Sequence, residues 1–150
     1  MTVAATVTAL QTLHATITGV SSAPTVMPAS LNNAELPVCL TFPGEGGWKH
    51  NSMDGAMLQQ RRRYVVKVYV APIPLGQGLD EGYQLSLPML QAFGEKYMGV
   101  TTLSGAIAHL GTLESGLLAT DLGVGIIPFA GIDYHGFTYF VDIIEKTAVP

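Results

Sequence analysis

The chain has 150 residues, 12% of them charged and 48% hydrophobic, with a net charge of −4 and a single cysteine, Cys39. That length suits one domain spanning 1–150, whose core needs neither disulfides nor metal. Ordinary soluble domains carry about a quarter charged residues, so the shortage argues against a freely solvated monomer and for a surface that meets other protein.

The charges are also unevenly placed. No lysine or arginine precedes Lys49, and none lies between Lys96 and Lys146. The acidic balance disfavours DNA as the main partner, because phosphate neutralisation rewards a clustered positive surface. No apolar run reaches the ~18 residues of a membrane span. The N-terminus lacks a basic segment followed by a continuous apolar stretch, so export is not indicated.

Val3, Val7, Leu10, His14 and Ile17 recur at three- and four-residue steps, which predicts a helix over about 3–18 that Gly19 can terminate. Pro24 and Pro28 mark a connector. Leu36-Pro37-Val38-Cys39-Leu40-Thr41-Phe42 reads as a first strand closed by Pro43-Gly44. Over 63–71 the alternation is clean: Tyr64, Val66, Val68 and Val70 take one face, Arg63, Val65, Lys67 and Tyr69 the other. Between these strands, 43–62 is long for an internal loop, and Asp54-Gly55 is a good hairpin turn. A projecting β-arm is expected, with Met53 and Ala56 flanking its reversal.

Asp80 is placed to cap a second helix that runs to about Met98, with Tyr83, Leu87, Leu90, Phe93 and Tyr97 as its apolar stripe. Pro88 should kink or split it, and Gly99 should stop it. Weaker strands are expected over 100–110 and 113–118. A closing hairpin is expected from 124–130 and 137–145, with Gly131 and Gly136 framing its turn. This order predicts an α+β fold: a mainly antiparallel sheet, two helices packed on one face, and a long projecting loop or β-arm.

No segment carries a specific catalytic motif. Cys39, inside an apolar strand, reads as a small buried hydrophobe rather than a nucleophile. His14, His50, His109 and His135 lack short ligand spacing, so no metal is expected. Gly44-Glu45-Gly46-Gly47-Trp48-Lys49-His50 lacks the phosphate-loop spacing, and Gly123-Val124-Gly125 lacks a third glycine at the dinucleotide spacing. Ser104 and Ser115 stand outside any nucleophile elbow. Asp121, Asp133, Asp142 and Glu145 are expected to be solvated. The expectation is a non-enzyme without cofactors.

What remains is Arg61-Arg62-Arg63, close to a tryptophan and a lysine in the predicted arm. Arg61 and Arg63 should share one face of the strand and Arg62 the other. Three roles compete for the cluster: a solvated strand entry, pairing with carboxylates of a neighbouring subunit, and contact with DNA. Trp48, Lys49, Arg61, Arg62 and Arg63 form the candidate partner interface, since exposed Trp and Arg are enriched at binding hot spots.

The N-terminal helix, Glu35-Leu36-Pro37-Val38, the long loop, Tyr64-Val65-Val66-Lys67-Val68-Tyr69-Val70, the second helix and a closing Tyr134-His135-Gly136-Phe137-Thr138-Tyr139 hairpin together resemble tail terminator subunits of long-tailed phages. The likeness covers nearly the whole chain but lies in element order. It implies a homo-oligomeric ring, usually of six subunits, in the virion neck, made in the host cytoplasm. Such a ring caps the tail tube and joins the tail tube protein to head-tail connector proteins. DNA would be passing cargo and no membrane would be involved. A head-tail adaptor or a tail tube subunit is the alternative within the virion, and a small enzyme the alternative outside it.

Overall fold

The computed structural model describes residues 3–50, 57–73, 80–99, 109–110 and 119–148. Its elements are α1 (Val3–His14), β1 (Val38–His50), β2 (Met57–Pro72), α2 (Asp80–Met98), β3 (His109–Leu110), β4 (Ala119–Phe129) and β5 (Ile132–Ala148). All strand pairings are antiparallel. β5 lies against β2 from Tyr134 to Ala148. Its other side is shared, by β4 along its first half and by β3 at Ile143 and Ile144. Apart from an isolated bridge between Val38 and Ser22 at its start, β1 pairs with β2 alone among the described residues and is an edge. The fold is therefore α+β, as the element order predicts.

The alternation of β2 decides where the core lies. Tyr64, Val66, Val68 and Val70 are all buried, aligned across β5 with Val141, Tyr139 and Phe137. Both helices cover that face: Leu10 and Ile17 from the α1 region, and Met89, Phe93 and Tyr97 from α2, join the same cluster. Aromatic rings dominate it. Phe93 makes a tilted contact with His14, edge-on contacts with Tyr97 and Phe137 and a stacked one with Tyr139, at 5.4–6.1 Å between centroids, in the range where such pairs add about 0.5–1.5 kcal/mol beyond burial. On the opposite face Val38, Leu40, Tyr69, Ile127 and Tyr134 form a smaller cluster, covered by Leu31 and Leu36 of the connector.

Several boundaries differ from expectation for local reasons. α1 ends at His14 rather than near 18, passing through tight turns from Thr16 and Ile17 to Gly19, whose φ is +99°. Pro43-Gly44 does not close β1. An edge strand tolerates proline, so β1 continues to His50, with a register shift between Pro43 and Gly46. α2 is not split by Pro88; Gln84, whose carbonyl loses its bond there, and Pro88 itself lie on the exposed side, where water can serve that carbonyl. The closing turn is Ala130-Gly131, with φ of 50° and 81°, the pattern of a two-residue primed turn. Gly136 lies inside β5 instead, where a Cβ would run into the Val68 carbonyl oxygen.

The apolar stripe of α2 is rotated from the one predicted. Gly82, Ser86, Met89, Phe93 and Tyr97 face the sheet, whereas Tyr83 and Leu87 remain 45% and 37% exposed. Small residues allow the close approach: the Gly82 backbone lies directly over the His135 ring, and Ser86 Oγ donates back to the Gly82 carbonyl at 2.7 Å. Of the weaker strands expected over 100–110, only His109–Leu110 falls in the description. The strand expected over 113–118 and the turn at Asp54-Gly55 lie outside the described residues.

Candidate functional site

The predicted arm is a β-hairpin. Beyond the bulge, Gly46 to His50 pair with Arg62 to Leu58, and β2 keeps its pairing with β5 over the same stretch, down to Met57 opposite Ala148. The sheet thus continues past Tyr64, the last core residue of β2 at that end. Residues 45–50 are all exposed, and Trp48 is 60% exposed. Their length follows from strand geometry: six residues at about 3.3 Å reach roughly 20 Å. An uncovered edge of this kind presents backbone donors and acceptors to any second strand.

The structure separates the five candidate interface residues into two groups. Trp48 and Lys49 are exposed on β1 and Arg61 is exposed on β2. Arg62 and Arg63 are engaged within the subunit. Arg62 Nη1 donates to the Gly44 carbonyl at 2.9 Å, bracing the bulge, and with the Gln60 amide assigned so that its oxygen faces the guanidinium, that oxygen accepts from Arg62 Nε and Nη2 at 2.7 and 2.8 Å. Arg63 forms a forked pair with Asp142, Nε to Oδ1 at 2.9 Å and Nη2 to Oδ2 at 3.3 Å, and its guanidinium lies 5.2 Å from the centroid of the Phe140 ring. The carboxylate for Arg63 therefore comes from its own β5. Asp142, expected to be solvated, is only 9% exposed because that pairing shelters it. Asp121 and Asp133 are exposed, and the Glu145 side chain lies outside the described residues. Arg61 and Arg63 do share a face, lining one shallow cleft with Glu45 and Asp142. Among the described residues Arg63–Asp142 is the one ion pair, which leaves Lys49 and Arg61 without one.

The densest polar cluster lies in the core and was not legible in the sequence. Gln11 Nε2 donates to the carbonyls of Pro24 and Cys39 at 2.7 and 2.8 Å, which fixes its amide. Gln11 Oε1 accepts from Thr41 Oγ1 at 2.7 Å and from His14 Nδ1 at 3.0 Å. The imidazole is therefore the Nδ1–H tautomer, and its Nε2 accepts from the Tyr97 hydroxyl at 2.6 Å. Burial lowers the His14 pKa from 6.5 to about 3, so the ring is neutral at physiological pH. The network ties α1, α2, β1 and the connector together with every polar atom used. It is sealed from substrate, and so is Cys39, whose thiol is fully buried with its pKa pushed up by desolvation. These groups position secondary structure; they are not placed to react.

His50 is exposed on the arm and His135 is buried under α2, while the His109 side chain lies outside the described residues. Among the described residues no group of three His, Cys, Asp or Glu side chains converges on a metal-sized site, and no helix is long and apolar enough to cross a membrane. No family model matches the chain, and no curated protein sequence matches it. The best-defined candidate surface is accordingly the exposed hairpin: an open β1 edge carrying an indole and two cations that have no ion-pair partner among the described residues.

Proposed function

We propose that this chain is a structural, non-catalytic subunit of a homo-oligomeric ring in the neck of a long-tailed phage, capping the tail tube and joining it to the head-side connector. The observation that carries the reading is the arm, an exposed six-residue edge strand bearing Trp48, Lys49 and, across from Gly47, Arg61. An isolated monomer gains nothing from displaying an indole and an unpaired edge, which invite association. The low charge content supports the same conclusion from composition. Among the described residues β1 lies at one edge of the sheet, next to β2, and β4 and β3 share the other, both paired to the far side of β5. Contacts between two different edges are heterologous, and such contacts close into rings when the rotation permits.

A tail tube subunit or a head-tail adaptor would use the same edge against a different neighbour. The test is imaging and mass measurement of the purified chain, alone and mixed with tails lacking it. Rings that attach to one end of the tube are the expected result. A chain that stays monomeric at high concentration and binds neither tube nor connector would overturn the reading.

A further inference from the structure

A groove of about 670 Å³ opens between α2 and β4, lined by Leu87, Leu90, Met98 and Ala119 with Glu95, Asp121 and Tyr139 among its polar members. Its chemistry is the complement of the arm. Among the described residues the lining contains two carboxylates and no lysine or arginine, whereas the arm offers Lys49 and Arg61 on one face and an exposed indole on the other. Leu87 and Met98 are 37% and 61% exposed, so the apolar part faces outward. The Tyr139 hydroxyl donates to the Leu90 carbonyl at 2.7 Å and is held in place. Burial, helped by the Asp121 carboxylate, pushes its pKa up to about 12, so the hydroxyl stays protonated as a donor.

Position matters as much as chemistry. The arm extends the β1 edge of the sheet, and the groove borders β4 on the other side of β5. One copy cannot present the same patch for both roles, so an arm-to-groove contact between copies is head-to-tail and propagates from subunit to subunit.

We propose that the groove between α2 and β4 receives the arm of a second copy of this chain edge-on, with Trp48 on one face of the strand against Leu87, Leu90 and Met98, and Lys49 on the opposite face directed at the carboxylates of Asp121 and Glu95 across the groove. This rests on the ring-subunit reading and names the receiving surface for it. Trp48 supplies the buried anchor, of the kind whose truncation weakens an interface by roughly thirtyfold or more. Lys49 selects the docking orientation through charge pairs that salt screens.

Two measurements on the full chain test this. The first compares association by analytical ultracentrifugation for wild type, Lys49→Glu, Glu95→Lys with Asp121→Lys, and all three substitutions together. Each reversed set alone should weaken association about tenfold, and the combination should restore most of it. The second follows maleimide labelling of Met98→Cys, since Cys39 is fully buried with its thiol kept protonated. Labelling should be slow in the assembled chain and fast when Trp48→Ala is added.

A wild type that assembles while charge reversal has no effect and Met98→Cys labels freely overturns the groove and leaves the ring standing. A wild type that never assembles overturns both. Equal protection of Met98→Cys in assembled and monomeric chains shows that the chain covers its own groove, which also overturns the proposal.

Discussion

The body and the arm of this molecule are built from the same sheet but held by opposite means. Around Phe93, side chains from both helices and two strands interlock, and even the polar groups of Gln11, His14, Thr41 and Tyr97 are hydrogen-bonded to one another. In the arm the same strands run on with their backbone paired but with residues 45–50 exposed. Cooperative stability belongs to the first region, and in our reading recognition belongs to the second. Substitutions should therefore sort cleanly: those in the body lower stability and those in the arm lower assembly.

The largest effect is expected from Phe93→Ala, which removes the ring at the centre of the aromatic cluster. It should cost about 3–5 kcal/mol, measured by denaturant unfolding. A loss below about 1 kcal/mol would mean that the core is not organised around α2.

Acid should act on the body through His14. Its pKa is lowered to about 3 in the folded chain and is near 6.5 unfolded, so the unfolded state binds the extra proton. The contribution of the neutral ring is fully present above pH 6.5. It falls by up to ~1.4 kcal/mol per pH unit between 6.5 and 3, on the order of 4 kcal/mol in total. Unfolding curves at pH 7, 6 and 5 should show that slope. In His14→Phe combined with Tyr97→Phe, which removes both partners of that bond, the slope over the same interval should flatten. An unchanged slope would contradict the sealed network.

Asp142→Asn probes the border between the two regions. Because Arg63 is half-exposed, breaking the fork should cost only about 1 kcal/mol. Assembly should persist, since this pair is internal to the subunit; a loss of rings from a stably folded variant would place Arg63 in the interface instead.

How much of this was legible depended on whether one local signal decided the outcome. The β2 face could be read because alternation over Tyr64, Val66, Val68 and Val70 has only one buried solution. The two strands of the arm could be read because the length and polarity of 43–62 agreed on a paired extension. The α2 stripe could not, because sheet packing selected Gly82 and Ser86, which hydrophobic periodicity ignores, over Tyr83 and Leu87. Pro43 and Gly136 misled for a related reason. Each marks a break when the neighbouring strand is unknown, yet one sits on an edge and the other allows the Val68 carbonyl to approach. Of the candidate interface residues, Trp48, Lys49 and Arg61 are exposed, while Arg62 and the half-exposed Arg63 are engaged by partners far away in sequence, Gly44 and Asp142. No short-range pattern specifies such partners.

The division of labour between body and arm is tested most directly by one variant, in which residues 49–59 are replaced by Asn-Gly and Trp48 by Ser. The new turn joins positions 48 and 60, which already face each other in register, so the helix-covered core is untouched. Light scattering and imaging, with circular dichroism and thermal unfolding as controls, give the result. The expected result is a chain that folds cooperatively, with native circular dichroism, and remains monomeric under the conditions in which the wild type is proposed to form rings. A shortened chain that folds and still forms rings would contradict it.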